Sequence, residues 1–265
     1  IRAAGVKLVE AGLNELGVCV GVRKVECWKI EAAITDKTAA IACFAKPRST
    51  PPLEEVVKVA RQRNVLVIVD AAGELPPALN LKKFVAQGAD AVVFSRGKMI
   101  RGPRASGILC GKRDLVMAAA LQMLDMDCRF DTWNPPADFI DKPKLRGIPR
   151  HGIGRGFKAG KEEIVGLITA LKLFGKKNHL EEMKDYERKA QYLAEALGKV
   201  DGVEAAYLPP TETKSMPLTE IKFLNASGQS YIVNIVEKLK AKDPPVFLDE
   251  SRLDEMVLQA KPFNL

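Results

Sequence analysis

The stretch Asn64–Asp70 constrains this chain most. Five consecutive aliphatic residues, Val65-Leu66-Val67-Ile68-Val69, end on an acid. That is the composition of a central parallel strand with both faces covered. Its surroundings repeat the alternation. Cys27 to Ile34 reads as a short helix feeding a strand at Ala39–Phe44. Pro51 and Pro52 open a helix reaching about Arg63, because proline is tolerated in a first helical turn. A helix at Leu81–Gln87 precedes a strand at Ala91–Ser95, and a further strand follows at Ala105–Cys110. Strand, helix, strand, helix, strand predicts a parallel sheet with right-handed crossovers. Val6–Glu10 also reads as a short strand.

Beyond these, Asp114–Leu124 reads as a helix. Asp125–Gly160 is aperiodic and rich in Pro, Gly and Arg, as an active-site loop would be. Lys161–Lys176 is a helix, with Ile164, Leu167, Ile168, Leu171 and Phe174 as its apolar stripe. A charged helix, Leu180–Leu197, leads to strands at Val203–Tyr207 and Leu218–Phe223. A helix at Tyr231–Leu239 and closing strands near Pro245 and Met256 complete the chain. The fold class is therefore α/β, a mostly parallel sheet between helices with a smaller C-terminal α/β domain. Residues 1–177 form the large domain and 178–265 the small one.

With 265 residues there is room for both. No apolar run approaches the roughly 20 residues that span a bilayer, so no membrane partner is expected. Cys19, Cys27, Cys43, Cys110 and Cys128 show no CxxC spacing, and only two histidines exist. Free thiols in a reducing cytoplasm and no metal site are the expectation. A net charge of +8, densest over Arg96–Arg113 and Lys142–Lys161, suits a solvated surface or an anion-binding cleft.

In an open parallel sheet, ligands bind beyond the carboxyl ends of the strands. Asp70 and Ser95 stand at two such ends, and Lys98 follows in a glycine-containing turn. A carboxylate, a hydroxyl and an amine in one crevice are what pyridoxal 5'-phosphate (PLP) requires. The amine forms a Schiff base, the carboxylate keeps the pyridinium protonated, and hydroxyls help hold the phosphate. Taken alone, the same residues also fit a turn-capping acid and a solvated lysine.

The stretches VIVDAAGELPP (Val67–Pro77), GADAVVFSRGKMIRGPRASGILCGKRDL (Gly88–Leu115) and GRGFKAGKEEIVGLITAL (Gly154–Leu171) narrow the choice. With PRSTPPLEEVVKVA (Pro47–Ala60), they resemble the L-seryl-tRNA(Sec) selenium transferase, or bacterial selenocysteine synthase, family. That family includes relatives such as D-glucosaminate-6-phosphate ammonia-lyase. The resemblance implies the PLP-dependent aspartate-aminotransferase fold (fold type I). It makes Lys98 the Schiff-base lysine, Asp70 the pyridinium partner, Ala72 a neighbour of the ring and Ser95 a neighbour of the phosphate. Arg155 and Lys158 become candidates for a substrate carboxylate or phosphate.

Two positions depart from the family pattern. Arg96 replaces the first of two glycines before the lysine, where it could crowd the turn or bind an anion. Arg104 replaces the glutamine of Gly-Pro-Gln and is carried as a substrate-binding candidate. The chain opens on Ile1 rather than Met, inside what reads as a helix-to-strand connection. By resemblance a preceding glycine-rich phosphate cradle is expected, and this chain alone should hold PLP weakly unless another chain completes the site.

The implied activity is a PLP-dependent lyase or transferase. It would abstract the α-proton of an amino acid or amino sugar acid, then eliminate or replace a β-substituent. Selenium transfer on aminoacyl-tRNA is the first alternative, less favoured because no nucleic-acid module is visible. A cofactor-free relative is the second. A homodimer or larger ring follows by resemblance. Arg129, Arg146, Arg150 and His151 are further loop candidates, while Cys110 and Trp133 read as packing residues.

Overall fold

The computed structural model describes residues 2–12, 25–45, 51–211, 216–225 and 228–264. Cys19 and residues 47–50 of the resemblance lie outside them. The chain divides into two compact units, residues 1–176 and 177–265.

In the first unit, α1 (Cys27–Ala33) precedes β1 (Ala40–Phe44), and α2 (Leu53–Gln62) leads to β2 (Leu66–Asp70). The first turn of α2 carries Glu54 and Glu55, which suit its positive end, and Arg61 lies in its last turn. Val56, Val59 and Ala60 form its buried stripe. The helix stops where Asn64 turns left-handed at φ 53° and the Val65 amide donates to the Ala60 carbonyl. Next come α3 (Asn80–Ala86), β3 (Ala91–Ser95), β4 (Gly107–Gly111), α4 (Arg113–Met123) and α5 (Lys161–Lys176).

The sheet order is β1-β2-β3-β4, with β1, β2 and β3 parallel and β4 antiparallel to β3. The reversal follows from length. Only residues 96–106 join β3 to β4, too few for a parallel crossover of a dozen or more.

One face of this sheet is the core. Ile41, Cys43, Val67, Val69, Val92, Phe94, Ile108 and Cys110 pack with Ile30, Val56, Phe84, Leu167 and Phe174 from the helices. The Phe84 and Phe94 rings lie 6.2 Å apart. The opposite face is open. Phe44, Ile68, Val93 and Leu109 remain 43, 37, 39 and 37% exposed. Among the described residues, helices cover the side of β2 bearing Val67 and Val69, while Ile68 on the other side stays partly exposed, against the expectation of burial on both faces. Val6–Glu10 is also not a strand. No described strand pairs with it, and a strand forms only against a neighbour.

An ion cluster fastens the amino end of β3. Asp90 is fully buried. It receives Arg61 Nη1 at 2.9 Å, Arg61 Nη2 at 3.0 Å, Lys112 Nζ at 2.7 Å and the Val67 amide at 2.7 Å. Burial pushes its carboxyl up, but Arg61, Lys112 and Val67 outweigh that and hold it at about 2. Gly111 seals the cluster. Its φ is +143°, and an added Cβ would stand 2.2 Å from the Asp90 carbonyl oxygen.

The second unit holds α6 (His179–Leu197), β5 (Val203–Leu208), β6 (Leu218–Phe223), α7 (Gln229–Lys240), β7 (Asp249–Arg252) and β8 (Val257–Ala260). Its sheet is antiparallel throughout, in the order β5-β6-β8-β7. Ile221, Ile232, Val236, Leu258 and Ala260 form its core. The Asn178 side chain caps α6 by accepting the Glu181 amide, and buried Thr219 donates to the Ala190 carbonyl. The strand expected near Pro245 begins instead at Asp249, because Pro244 and Pro245 have no N–H to give a ladder.

Candidate active site

β2 and β3 deliver two residues to one end of the parallel sheet. Asp70 is the last residue of β2 and pairs with Val93. The hydrogen-bond ladder continues past it, since Ala45 N–H donates to the Asp70 carbonyl and Ala71 N–H to the Val93 carbonyl, both at 2.9 Å. Asp70 Oδ1 accepts the Ala72 amide at 2.9 Å, the local turn bond common for such an acid. No ion pair engages the Asp70 carboxylate among the described residues. Ser95 closes β3 opposite Gly107 and, two residues beyond Val93, shares the open face with Asp70.

The turn after Ser95 is tied at both ends. The Gly102 amide donates to the Arg96 carbonyl at 2.7 Å, and the Arg101 amide to the Lys98 carbonyl at 3.0 Å. Arg101 adopts φ +58° to close it. Ile100 is buried in the core, and Gly102 lies against α5, where an added Cβ would meet Leu167 Cδ1 at 3.0 Å. Lys98 rides on this anchored turn, exposed, and its side chain makes no hydrogen bond or ion pair to any described residue. The backbone φ of Arg96 lies outside the left-handed region. Its Nε is buried and lacks an acceptor among the described residues. Sequence reasoning noted the arginine but not that burial; an arginine in a glycine turn is the signal that points there.

Arg104 is exposed between this turn and β4. Arg155 and Lys158 belong to a loop pinned on the end of α4. There the Gly154 amide donates to the Gln122 carbonyl at 2.9 Å and Ile153 N–H to Gln122 Oε1 at 3.1 Å. Arg155 Nε faces Asp125 at 3.4 Å, while Lys158 is exposed. Neither is bonded to the Lys98 turn. His151, at φ +51°, gives its amide to Asp125 Oδ1. Trp133 is buried, and its carbonyl accepts Lys142 Nζ at 2.6 Å. Burial raises the Cys43 thiol to about 11 and also pushes the Cys110 thiol up. The Asp90 cluster went unseen in the sequence, although an acid between Ala89 and Ala91 must find cations if buried. It stands at the other end of β3, about 16 Å away at strand rise, and is structural.

A carboxylate at the carboxyl end of β2 and a primary amine in the turn after β3, neither engaged by another side chain among the described residues, thus stand at the same end of the sheet. That donor set fits PLP. No group of three His, Cys, Asp or Glu among the described residues could hold a metal, and no described helix is long and apolar enough to cross a membrane.

Residues 3–239 match the family described as Aminotransferase class-V. The 5'-C-glycyluridine monooxygenase-decarboxylase of Streptomyces sp is 27% identical over 238 residues, 88% of this chain and 52% of that protein. The D-glucosaminate-6-phosphate ammonia lyase of Salmonella typhimurium (strain 14028s / SGSC 2262) is 28% identical over 211 residues, 77% of this chain and 45% of that protein. The chain spans about half the length of these curated relatives. A solved D-glucosaminate-6-phosphate ammonia-lyase superimposes with a TM-score of 0.66 at 23% identity, covering 98% of this chain and 60% of that one. Mouse CSAD gives 0.51 at 14% identity over 91% of this chain and 52% of its own. These two likenesses carry the fold alone.

Proposed function

The chain belongs to the aminotransferase class-V family, a family of PLP enzymes, and on that premise we propose that it carries the catalytic lysine of such an enzyme. The substrate would be an amino acid or amino sugar acid, losing its α-proton and then a β-substituent. The observation that carries this reading is the Lys98 amine, with no side-chain partner among the described residues, in the turn after β3 at the sheet end where Asp70 closes β2. When bound, the cofactor supplies an aldehyde for an amine and a ring that withdraws electrons from the substrate. Lys98 Nζ would bind that aldehyde carbon and, once released, take up and return the α-proton. The Asp70 carboxylate would keep the ring nitrogen protonated, with Ala72 beside the ring and the Ser95 hydroxyl toward the phosphate. Arg104, Arg155 and Lys158 would meet the acid groups of the substrate. Lys158 is exposed for that role, whereas Arg155 would first leave Asp125.

The division near Lys176 supports a cofactor domain of residues 1–177 with a small domain at 178–265. The ammonia-lyase relative favours a small-molecule elimination. Exposed Arg129, Arg146 and Arg150 and the +8 charge keep selenium transfer on aminoacyl-tRNA as the alternative. The free thiols of Cys27, Cys43, Cys110 and Cys128 suit a reducing cytoplasm. A homodimer or larger ring would complete the site, and light scattering reads its mass.

The test is to incubate the full chain with PLP, reduce with borohydride and map the mass adduct. An adduct on Lys98, absent in Lys98→Ala, supports the reading; no adduct in the wild type sinks it and favours the cofactor-free relative. Ammonia release from amino sugar acid phosphates is then compared with seryl-tRNA binding. If only tRNA binds, the transferase reading replaces the lyase.

A further inference from the structure

Arg96 stands two residues before Lys98, within about 7 Å along the chain. Its guanidinium is permanently charged, and the Nε–H is directional. That atom is buried and has no acceptor among the described residues. The Arg96 carbonyl is taken by the Gly102 amide, and no ion pair joins Arg96 to Asp70. Gly102 lies close by, since a Cβ added there would stand 3.6 Å from Arg96 Cβ and 3.4 Å from its carbonyl oxygen. From Ser95 to Ser106 the chain carries Arg96, Lys98, Arg101 and Arg104 and no acid. A guanidinium whose buried Nε–H has no acceptor among the described residues, in a wholly cationic turn, is a receptor for an oxyanion.

We infer that Arg96 is an anion-binding residue of the Lys98 crevice, receiving a phosphate or carboxylate of the molecule held there. The anion site stands on its own geometry. Only the identity of the molecule rests on the PLP reading. The two sources of that anion are the cofactor phosphate and the substrate acid group. A residue so placed would also set specificity, because an uncharged analogue would leave the guanidinium unpaired.

Inorganic phosphate is titrated first into the full chain, with thermal stability as the readout. Wild type gains stability with phosphate. Arg96→Gln weakens that response at least about tenfold, and Arg96→Lys, which keeps the charge without the fork, falls between. Lys98→Ala retains it. Dissociation constants for PLP and pyridoxal are then read by absorbance. Loss for PLP but not pyridoxal in Arg96→Gln assigns the cofactor phosphate. If both hold while the spectral response to serine weakens and that to ethanolamine does not, the substrate carboxylate is assigned. Circular dichroism confirms that the variants fold. A wild type without phosphate affinity, or an Arg96→Gln protein matching it for every ligand, overturns the inference. A wild type that binds phosphate through Arg96 yet takes no PLP sinks the proposed function and leaves this site standing.

Discussion

Replacing Asp90 by alanine strips three charge-assisted bonds and orphans a buried amide at one stroke. The amide is that of Val67, which donates to Asp90 Oδ2 at 2.7 Å. A buried donor left unmet costs roughly 1–3 kcal/mol. Removing one member of a buried ion pair costs about 3–5 kcal/mol where the partner charge stays buried. Here Arg61 and Lys112 are 44 and 59% exposed, so water takes them back and the upper figure does not apply. The net expectation is about 3 kcal/mol for Asp90→Ala. Asp90→Asn keeps an acceptor for Val67 and should cost roughly 1–2 kcal/mol less. Acid has the same effect as the asparagine. The folded carboxyl lies at about 2, below its ordinary 3.8, so its contribution is complete above that ordinary value and is lost as pH falls through about 2. The shift corresponds to about 2 kcal/mol. The assay is urea unfolding followed by tryptophan fluorescence. Both tryptophans, Trp28 and Trp133, lie in the first unit, so the signal reports that unit alone. A loss below about 1 kcal/mol for Asp90→Ala at neutral pH, or an unchanged acid slope in Asp90→Asn, refutes this account.

Gly111→Ala should destabilise the first unit by more than about 3 kcal/mol, because the new Cβ meets backbone in a strained conformation; expression yield and the same urea curve check it. Asp70→Ala should change stability by less than about 0.5 kcal/mol, since its one bond is local and exposed, yet lower PLP retention on gel filtration. In the second unit, burial pushes the Asp249 carboxyl up, but the Lys261 ammonium and Ser251 hold it at about 2. Its contribution is therefore lost as pH falls from about 4 toward about 2. Lys261→Met should flatten that acid limb, read by far-ultraviolet circular dichroism.

Much of this fold was legible where one local cause dominates. β3 runs from Ala91 to Ser95 and α5 from Lys161 to Lys176, as their patterns predict, because a glycine and a proline-poor apolar stripe mark the ends. Val6–Glu10 failed because pairing is decided by what lies beside a strand. The composition of β2 announced two covered faces, and sequence carries no information about which cover is present. At the candidate site, Asp70 and Lys98 were legible as strand-end and turn residues. The burial of Arg96 Nε was not, because the cover of one side-chain atom depends on tertiary packing that local sequence does not carry.

The open face of the first sheet has a consequence for handling the protein in solution. At about 25 cal/mol per Å², each 100 Å² of wet aliphatic surface forgoes roughly 2.5 kcal/mol. Val93 and Leu109 pair directly across β3 and β4, and Ile68 and Phe44 lie on the same face of β2 and β1, so that penalty gathers on one face. Sulfate, which strengthens apolar burial, should salt this chain out early, and phenyl resin should retain it. Lysine at Val93 would reverse both behaviours without touching the packed side of the sheet.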